Sequence, residues 1–285
     1  MLKKNIFKNK TILVTGGGSV GAQLAKDLLQ YNPYSIRIFD NSENILYNLE
    51  KEIKDNRIRL LYGDIRDKTR VQMALEGCNI VIHTCALKHI HLCNYNPIET
   101  IKTNIGGTIN LIECMLASKD LEKSIFVSTD KVTFYTSIYG MSKACGEELF
   151  EWLAKVSLRK VSSASIRLPN ITWTSGNVFF LWKEFAEKNE ALPVTDKKMC
   201  RYFLPLKACT AYIIKALQLM DNGYILFIPK ATEYRMIDIA KKTFQAEDIK
   251  IIGIREGEKL REILISPDEL SKADDLGDIW RVKKV

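Results

Sequence analysis

Short apolar runs rich in β-branched residues recur along the chain, at Thr11 to Thr15, Ile36 to Asp40, Ile58 to Tyr62, Ile80 to Thr84, Ile125 to Ser128, Ala164 to Leu168 and Tyr224 to Ile228. Each has the length and composition of a strand. Between most of them the apolar period lengthens to that of a helix, over Val20 to Gln30, Glu43 to Lys54, Thr69 to Leu75, Ile98 to Ala117 and Tyr139 to Val156. This alternation predicts an α/β fold, a doubly wound parallel sheet with helices on both faces. From Pro169 onward the pattern loosens, with breaks at Pro193, Pro205, Pro229 and Pro267. A smaller lobe over the sheet edge is expected there.

A chain of 285 residues buries a full core and is long for one compact domain, which agrees with a large domain and a lobe. The longest apolar runs fall short of the ~20 residues a membrane span needs. The start, Met1-Leu2-Lys3-Lys4-Asn5-Ile6, lacks a long apolar signal core, so a soluble, cytoplasmic protein is expected. The 7 cysteines include no Cys-x-x-Cys pair, are odd in number and mostly have apolar neighbours, which favours reduced thiols over disulfides or a metal site. His83, His89 and His91 follow one strand, yet no carboxylate or cysteine has convincing ligand spacing near them, and no metal is expected. The net charge of +8 is spread among acidic residues, without a dense basic run or interleaved aromatics. A phosphate-bearing small molecule explains it as well as nucleic acid would, and no nucleic-acid partner is expected.

The first strand runs into Gly16-Gly17-Gly18-Ser19-Val20-Gly21 and a helix, which is Gly-x-Gly-x-x-Gly in its proper context. Gly16 permits a tight turn, Gly18 lets backbone amides reach a pyrophosphate, and Gly21 lets the helix pack close to the sheet. Asp40 ends the second strand, where an acid binds the adenosine ribose hydroxyls and repels a 2′-phosphate, so NAD is expected over NADP. These features predict a Rossmann-type NAD-binding domain over residues 1–168, joined by the strand near 224–228, with a substrate-binding lobe over 169–285.

A second constellation follows the strand at Ile125. Ser128-Thr129-Asp130-Lys131 leaves the sheet at its ligand-binding edge, and Tyr139-Gly140-Met141-Ser142-Lys143 enters the next helix. Tyr139 and Lys143, four apart, share a helix face, so the ammonium can lower the phenol's pKa and Tyr139 can act as a base towards a sugar hydroxyl. Tyr47 and Lys51 have the same spacing but read as a solvated helix face.

With Gly63-Asp64-Ile65-Arg66-Asp67, His83-Thr84-Cys85-Ala86-Leu87-Lys88-His89, Asn96-Pro97 and Lys102-Thr103-Asn104 in order, the chain resembles the extended short-chain dehydrogenase/reductases. Within them it resembles the UDP-N-acetylglucosamine 4,6-dehydratases of polysaccharide and nonulosonic acid synthesis. Ala86-Leu87-Lys88-His89, Ser128-Thr129-Asp130-Lys131, Met199-Cys200-Arg201-Tyr202-Phe203 and Gly253-Ile254-Arg255-Glu256-Gly257-Glu258-Lys259 carry the narrower match.

The resemblance implies that NAD takes a hydride from carbon 4 while Tyr139, helped by Lys143, removes the hydroxyl proton. It makes Lys131 the base at carbon 5, Asp130 the acid for the departing carbon 6 hydroxyl, and Thr129 the hydrogen-bond partner of the developing ketone. It extends the cofactor set to Ser19, Val20, Asn41, Asp64, Ile65, Ala86, Lys88 and Asn104, the last fixing backbone near the catalytic helix. For the UDP-sugar it implies Lys88, Asn170, Thr195, Arg201, Arg255 and Glu258, guanidinium groups being well suited to a pyrophosphate. It also implies a homodimer or higher even oligomer: apolar positions Ile105, Ile109, Ile112 and Leu116, and Leu149 and Leu153, recur at helical spacing, although the same stripes could face the protein's own sheet. The membrane-spanning N-terminal region of the larger relatives is expected to be absent.

The chain departs from the family pattern in places. Its glycine run is one residue shorter than usual, Val132-Thr133-Phe134-Tyr135-Thr136 lacks a Pro, and Trp173-Thr174-Ser175-Gly176-Asn177 lacks an Arg. Tyr139 and Cys145 resemble the small inverting enzymes, whereas Asp40-Asn41-Ser42-Glu43-Asn44 resembles the larger NAD-using ones, so the outcome at carbon 5 stays open. A nucleotide-sugar epimerase would share NAD, Tyr139 and Lys143 but would not need Asp130 and Lys131. A non-catalytic nucleotide-sugar binding protein is the other alternative.

Overall fold

A computed structural model of the protein describes residues 5–174, 176–245 and 248–283. Met1 to Lys4, and Ser175 of the loop after Trp173, lie outside them. All seven expected strands form: β1 (Thr11–Thr15), β2 (Ser35–Asp40), β3 (Ile58–Tyr62), β4 (Ile80–His83), β5 (Lys123–Thr129), β6 (Ser162–Leu168) and, further along, β10 (Tyr224–Pro229). They pair in parallel in the order β3-β2-β1-β4-β5-β6-β10. Two strands not foreseen, β13 (Ala273–Asp275) and β14 (Ile279–Lys283), extend this sheet to nine, β14 pairing antiparallel with β10 and β13 antiparallel with β14.

Both faces are buried because successive residues of the strands serve opposite cores. Ile12 and Val14 of β1 join Leu24 and Leu28 of α1 (Ser19–Leu29) and Ile213 and Leu217 of α9 (Leu206–Leu219). Leu13 points the other way, into a cluster with Val71 of α3 (Lys68–Leu75), Leu111 of α6 (Gly107–Ala117) and Phe150 of α7 (Ile138–Val156). Helix starts are set by side-chain caps: Ser42 accepts from Ile45 N–H to open α2 (Glu43–Glu52), Asp67 from Arg70 N–H, and Ser137 from Gly140 N–H.

The helix expected over Ile98 to Ala117 is broken. Pro97–Thr100 (α5, following α4 at Ile90–Tyr95) leads into a π-helical segment, Ile101–Gly106, before α6 begins. The wide turn coincides with buried Asn104, whose side chain accepts from Leu87 N–H (2.8 Å) and donates to Leu87 O (2.9 Å) and Ser142 Oγ (2.9 Å). Insertions of this kind in a helix accompany functional sites. Of the apolar stripes on these helices, Ile112 and Leu153 are buried and Leu116 and Leu149 pack against the same core, so these positions face the protein's own sheet. The apolar side chains left exposed on these helices include Ile98, Ile101, Ile109 and Trp152.

Beyond β6 lies a lobe with its own core. Strands β7 (Asn170–Thr172), β9 (Cys200–Pro205) and β11 (Thr232–Arg235) form one small sheet, and β8 (Leu192–Val194) and β12 (Ile249–Ile251) another. Phe179 and Trp182 of α8 (Val178–Glu187), Met199, Phe203, and Met236 and Ala240 of α10 (Met236–Phe244) pack between them. A last short helix, α11 (Pro267–Ser271), opens with a full capping box between Ser266 and Glu269. All seven cysteines are free thiols, and no group of three metal-ligating side chains gathers among the described residues. No helix among them is long and apolar enough to cross a membrane.

Candidate active site

The carboxyl ends of β1, β4 and β5 open into one cleft of about 1110 Å³, roofed by the lobe. That is somewhat above the ~300–1000 Å³ usual for one small ligand. Its floor is built from backbone. Gly16 turns with φ +91°, a region that disfavours a side chain, and its N–H donates to Phe39 O (2.7 Å). A Cβ at Gly21 would lie 1.9 Å from Gly16 O, so the helix reaches the strand only because that position is glycine. Gly18, the N-cap of α1, offers no side-chain cap and faces open space. Asp40 closes the loop: Oδ2 accepts from Gly17 N–H (2.7 Å) and Oδ1 from Ser42 N–H (2.8 Å). The shortened glycine run is thus pinned to the end of β2 by the acid expected to meet a ribose.

The opposite wall is built from side chains. Thr129 ends β5, and a single turn of 3₁₀ helix, Asp130–Val132, carries the next two residues. Lys131 Nζ donates to Asp130 Oδ1 (2.8 Å) and Asn170 Oδ1 (3.4 Å), and Thr129 Oγ1 donates to the same Asp130 oxygen (3.0 Å). Asp130 is fully enclosed, and its Oδ2 has no hydrogen-bond partner among the described residues. Burial pushes the Tyr139 phenol up, against a hydrogen bond with Thr129 that lowers it. Burial brings Lys143 down to about 7, opposed by Cys85 and Glu147, and its Nζ stands 3.9 Å over the Phe126 ring. Burial, not Lys143, dominates the phenol here, which reverses the shift expected from helix spacing. An amine near neutrality can pass a proton either way.

Of the residues read from the sequence, Gly16, Gly18, Ser19, Val20, Gly21, Asp40, Asn41, Ile65, Ala86 and Lys88 line the cofactor side of the cleft. Thr129, Lys131, Tyr139, Lys143, Asn170, Thr195, Arg201, Arg255 and Glu258 line the remainder. Asp64, Asn104 and Asp130 do not line it. Asp64 is held by Arg66, which donates from Nη2 (2.6 Å) and Nε and keeps the carboxyl below its usual range. Asn104 acts one layer back, on Leu87 and Ser142. His83 is buried between Thr15 Oγ1 (2.6 Å) and Thr108 Oγ1 (3.0 Å), and burial, with Lys143 nearby, holds it neutral with a pKa of about 3.

Two groups of buried charges were not foreseen. Arg167 on β6 donates to Glu147 of α7 (2.9 and 2.7 Å) and to Glu269 of α11 (2.8 and 2.7 Å), while Ser128 Oγ donates to Glu147 (2.6 Å). Glu262, 2% exposed, pairs with Lys259 (2.7 Å) and lies 3.9 Å from Lys131 Nζ. Its only sequence signal was the Lys259–Glu262 spacing, three residues apart and continuous with the Gly-Glu-Lys run.

A glycine-floored dinucleotide cleft facing a Thr-Tyr-Lys wall, on a 3-2-1-4-5-6 parallel sheet, is the architecture of the extended short-chain dehydrogenase/reductases. The chain belongs, more narrowly, to the polysaccharide biosynthesis protein family, which it matches over residues 12–284. It is 37% identical over 290 residues to an uncharacterised membrane protein of Methanocaldococcus jannaschii, spanning 98% of this chain and 87% of that one. It is 35% identical over 268 residues to the UDP-N-acetylglucosamine 4,6-dehydratase (inverting) of Campylobacter jejuni, spanning 93% and 80%. A UDP-glucose 4-epimerase of Rickettsia bellii is 31% identical over 288 residues, spanning 97% and 84%. Among solved structures, Pen from Bacillus thuringiensis superposes with a TM-score of 0.90 at 32% identity, covering 97% of this chain and 88% of that one.

Proposed function

We propose that the protein is an NAD-dependent nucleotide-sugar 4,6-dehydratase acting on UDP-N-acetylglucosamine. The observation that carries this reading is the Asp130–Lys131 pair, joined at 2.8 Å beside Thr129 and Tyr139. An epimerase cycle has no use for an acid and a base beyond the Tyr–Lys couple.

The cofactor end fits NAD: the first turn of α1 faces open space at Gly18, and Asp40 stands at the end of β2 where a ribose is recognised. NAD would supply a hydride acceptor for carbon 4 and the donor that later reduces carbon 6. In this reading Tyr139 removes the carbon 4 hydroxyl proton, Lys143 lends the charge, and Thr129 holds the ketone oxygen. Lys131 then takes the carbon 5 proton, and the departing carbon 6 hydroxyl leaves as water with a proton from Asp130. Asn170, Thr195, Arg201, Arg255 and Glu258 hold the UDP-sugar from the lobe side, with Lys88 reaching it from the cofactor side. Residues 1–168 with β10 bind the cofactor, and the remainder presents the substrate.

Incubation with UDP-N-acetylglucosamine should give a product lighter by one water. Lys131→Met should still bind UDP-N-acetylglucosamine and NAD but lose dehydration by at least ~100-fold, the scale of a positioned base, and accumulate NADH absorbance. Tyr139→Phe should stop the reaction before NADH appears. Near-normal turnover of the Lys131 variant without water loss favours the epimerase. Failure of the wild-type protein to retain or bind NAD would favour the binding protein. We further propose an even-numbered oligomer through the exposed Ile98, Ile101, Ile109 and Trp152; a monomeric mass by light scattering at micromolar concentration would refute it.

A further inference from the structure

We propose that Glu262 is a positioning residue for the elimination step: its buried carboxylate stabilises the ammonium that forms on Lys131 when the carbon 5 proton is taken. The inference rests on the dehydratase reading and deepens it. As the C5–H bond breaks, the proton passes to Lys131 Nζ, the electron pair moves into the carbon 5–carbon 6 bond, and the carbon 6 hydroxyl leaves as water with the proton of Asp130. Positive charge therefore develops on Lys131 during the step. Charge stabilisation aimed at such a centre is effective when the groups are held in advance and shielded from water.

Glu262 meets both conditions. Its side chain is 2% exposed, Lys131 is 15% exposed, and Oε1 stands 3.9 Å from Lys131 Nζ. The carboxylate is held from behind by Lys259 Nζ at 2.7 Å on Oε2, and Lys259 in turn donates to Thr133 O (3.0 Å) and Phe134 O (3.4 Å), in the loop between Lys131 and Tyr139. Thr136 Oγ1 donates to Gly257 O (2.9 Å), which closes the same clamp. The charged and titratable groups facing Lys131 are Asp130 on its own element, Glu262 from the segment before α11 with Lys259 behind it, and Tyr139 of α7 beyond Asp130; Asn170 of β7 is neutral. Glu262 is thus the second carboxylate on Lys131, and Lys259 divides its charge. The segment that carries Glu262 also carries Arg255 and Glu258 into the cleft, which links seating of the nucleotide to the reacting end.

The division of charge makes a two-sided test. Glu262→Gln keeps the shape but removes the charge, so Lys131 becomes easier to deprotonate and a weaker base. The acid limb of kcat against pH should move down, and the plateau for dehydration should fall by up to ~10-fold with KM for UDP-N-acetylglucosamine within about twofold. Lys259→Met leaves the whole charge of Glu262 to Lys131 and should move the acid limb up. A purely structural role for the cluster would lower activity in both variants without opposite pH shifts, and that result overturns the proposal. If Glu262→Gln fails to fold, as judged by its melting curve and NAD titration, the upward shift in Lys259→Met decides alone. Loss of dehydration in Lys131→Met together with unmoved limbs in these two variants removes only the role of Glu262. Retained dehydration in Lys131→Met removes the dehydratase mechanism itself.

Discussion

The two walls of the cleft are built by different means. The cofactor wall is backbone: a turn at Gly16, a helix start at Gly18, a close approach at Gly21, and Asp40 tied to two amides. The facing wall is a chain of ionisable side chains, buried Asp130 and Glu262 with part-buried Lys131 and Lys259, and Glu147, Arg167 and Glu269 lie behind it. A backbone site is complete within about two dozen residues and costs little desolvation. A charged site in a low dielectric holds only while each member keeps its partner, and those partners come from distant parts of the chain.

The largest effect is expected where that dependence is strongest. Arg167→Met leaves Glu147, 3% exposed, and Glu269 without their shared cation, at a cost of about 3–5 kcal/mol. For a chain of this size the melting temperature should fall by roughly 10 °C. The pH dependence should change too. Burial raises the Glu269 carboxyl, but Arg167 outweighs it and the pKa is lowered. A lowered carboxyl contributes stability that is present above the ordinary carboxylate range and lost as pH falls through the folded value. Melting curves from neutral to acid pH should therefore flatten in the variant, and an unchanged melting temperature would mean that the facing wall does not depend on its charges.

On the other wall Gly21→Ala forces the α1 start away from Gly16 O. Overpacking of this kind costs about 1–3 kcal/mol. The distortion falls on the phosphate-facing turn, so NAD should bind at least ~10-fold more weakly in calorimetric titration. Native affinity in this variant would show that the turn tolerates a wider path than its geometry suggests.

The same contrast explains what the chain revealed before it was folded. Strand positions, the glycine turn and Thr129 to Lys143 were legible because each is local: a period, a spacing, a run leaving the sheet edge. Edge strand β13, Ala-Asp-Asp, was missed because it has no apolar run, and β14 because Arg281 and Lys283 interrupt the apolar run that marks the parallel strands. The π-helical segment was missed because the contacts that coincide with it, Asn104 bridging Leu87 and Ser142, join positions far apart in sequence. Arg167 was invisible for the same reason, since a charged residue outside a motif reads as solvent-facing until its partners are known, and Glu262 showed only as a neighbour of the Gly-Glu-Lys run. The shift on Tyr139 was misjudged because spacing reports the neighbour and not the burial.

The smallest expected effect tests how far the backbone wall depends on its single acid. In Asp40→Asn the amide oxygen can keep one bond, to Gly17 N–H or Ser42 N–H, but the charge is lost and the second position becomes a donor facing a donor. Losing a charge-assisted bond in a half-buried loop costs roughly 1–2 kcal/mol, so stability should fall modestly and the fold should persist. The larger consequence falls on selectivity. Repulsion of a 2′-phosphate disappears, while the ribose loses an acceptor, so the two cofactors should approach each other in affinity, the preference for NAD over NADP narrowing about tenfold. Titration of both cofactors against both proteins measures this directly. An unchanged ratio would mean that Asp40 only ties the glycine loop to β2 and that the ribose is read elsewhere, and NADP binding more tightly than NAD to the unaltered protein would overturn the cofactor assignment itself.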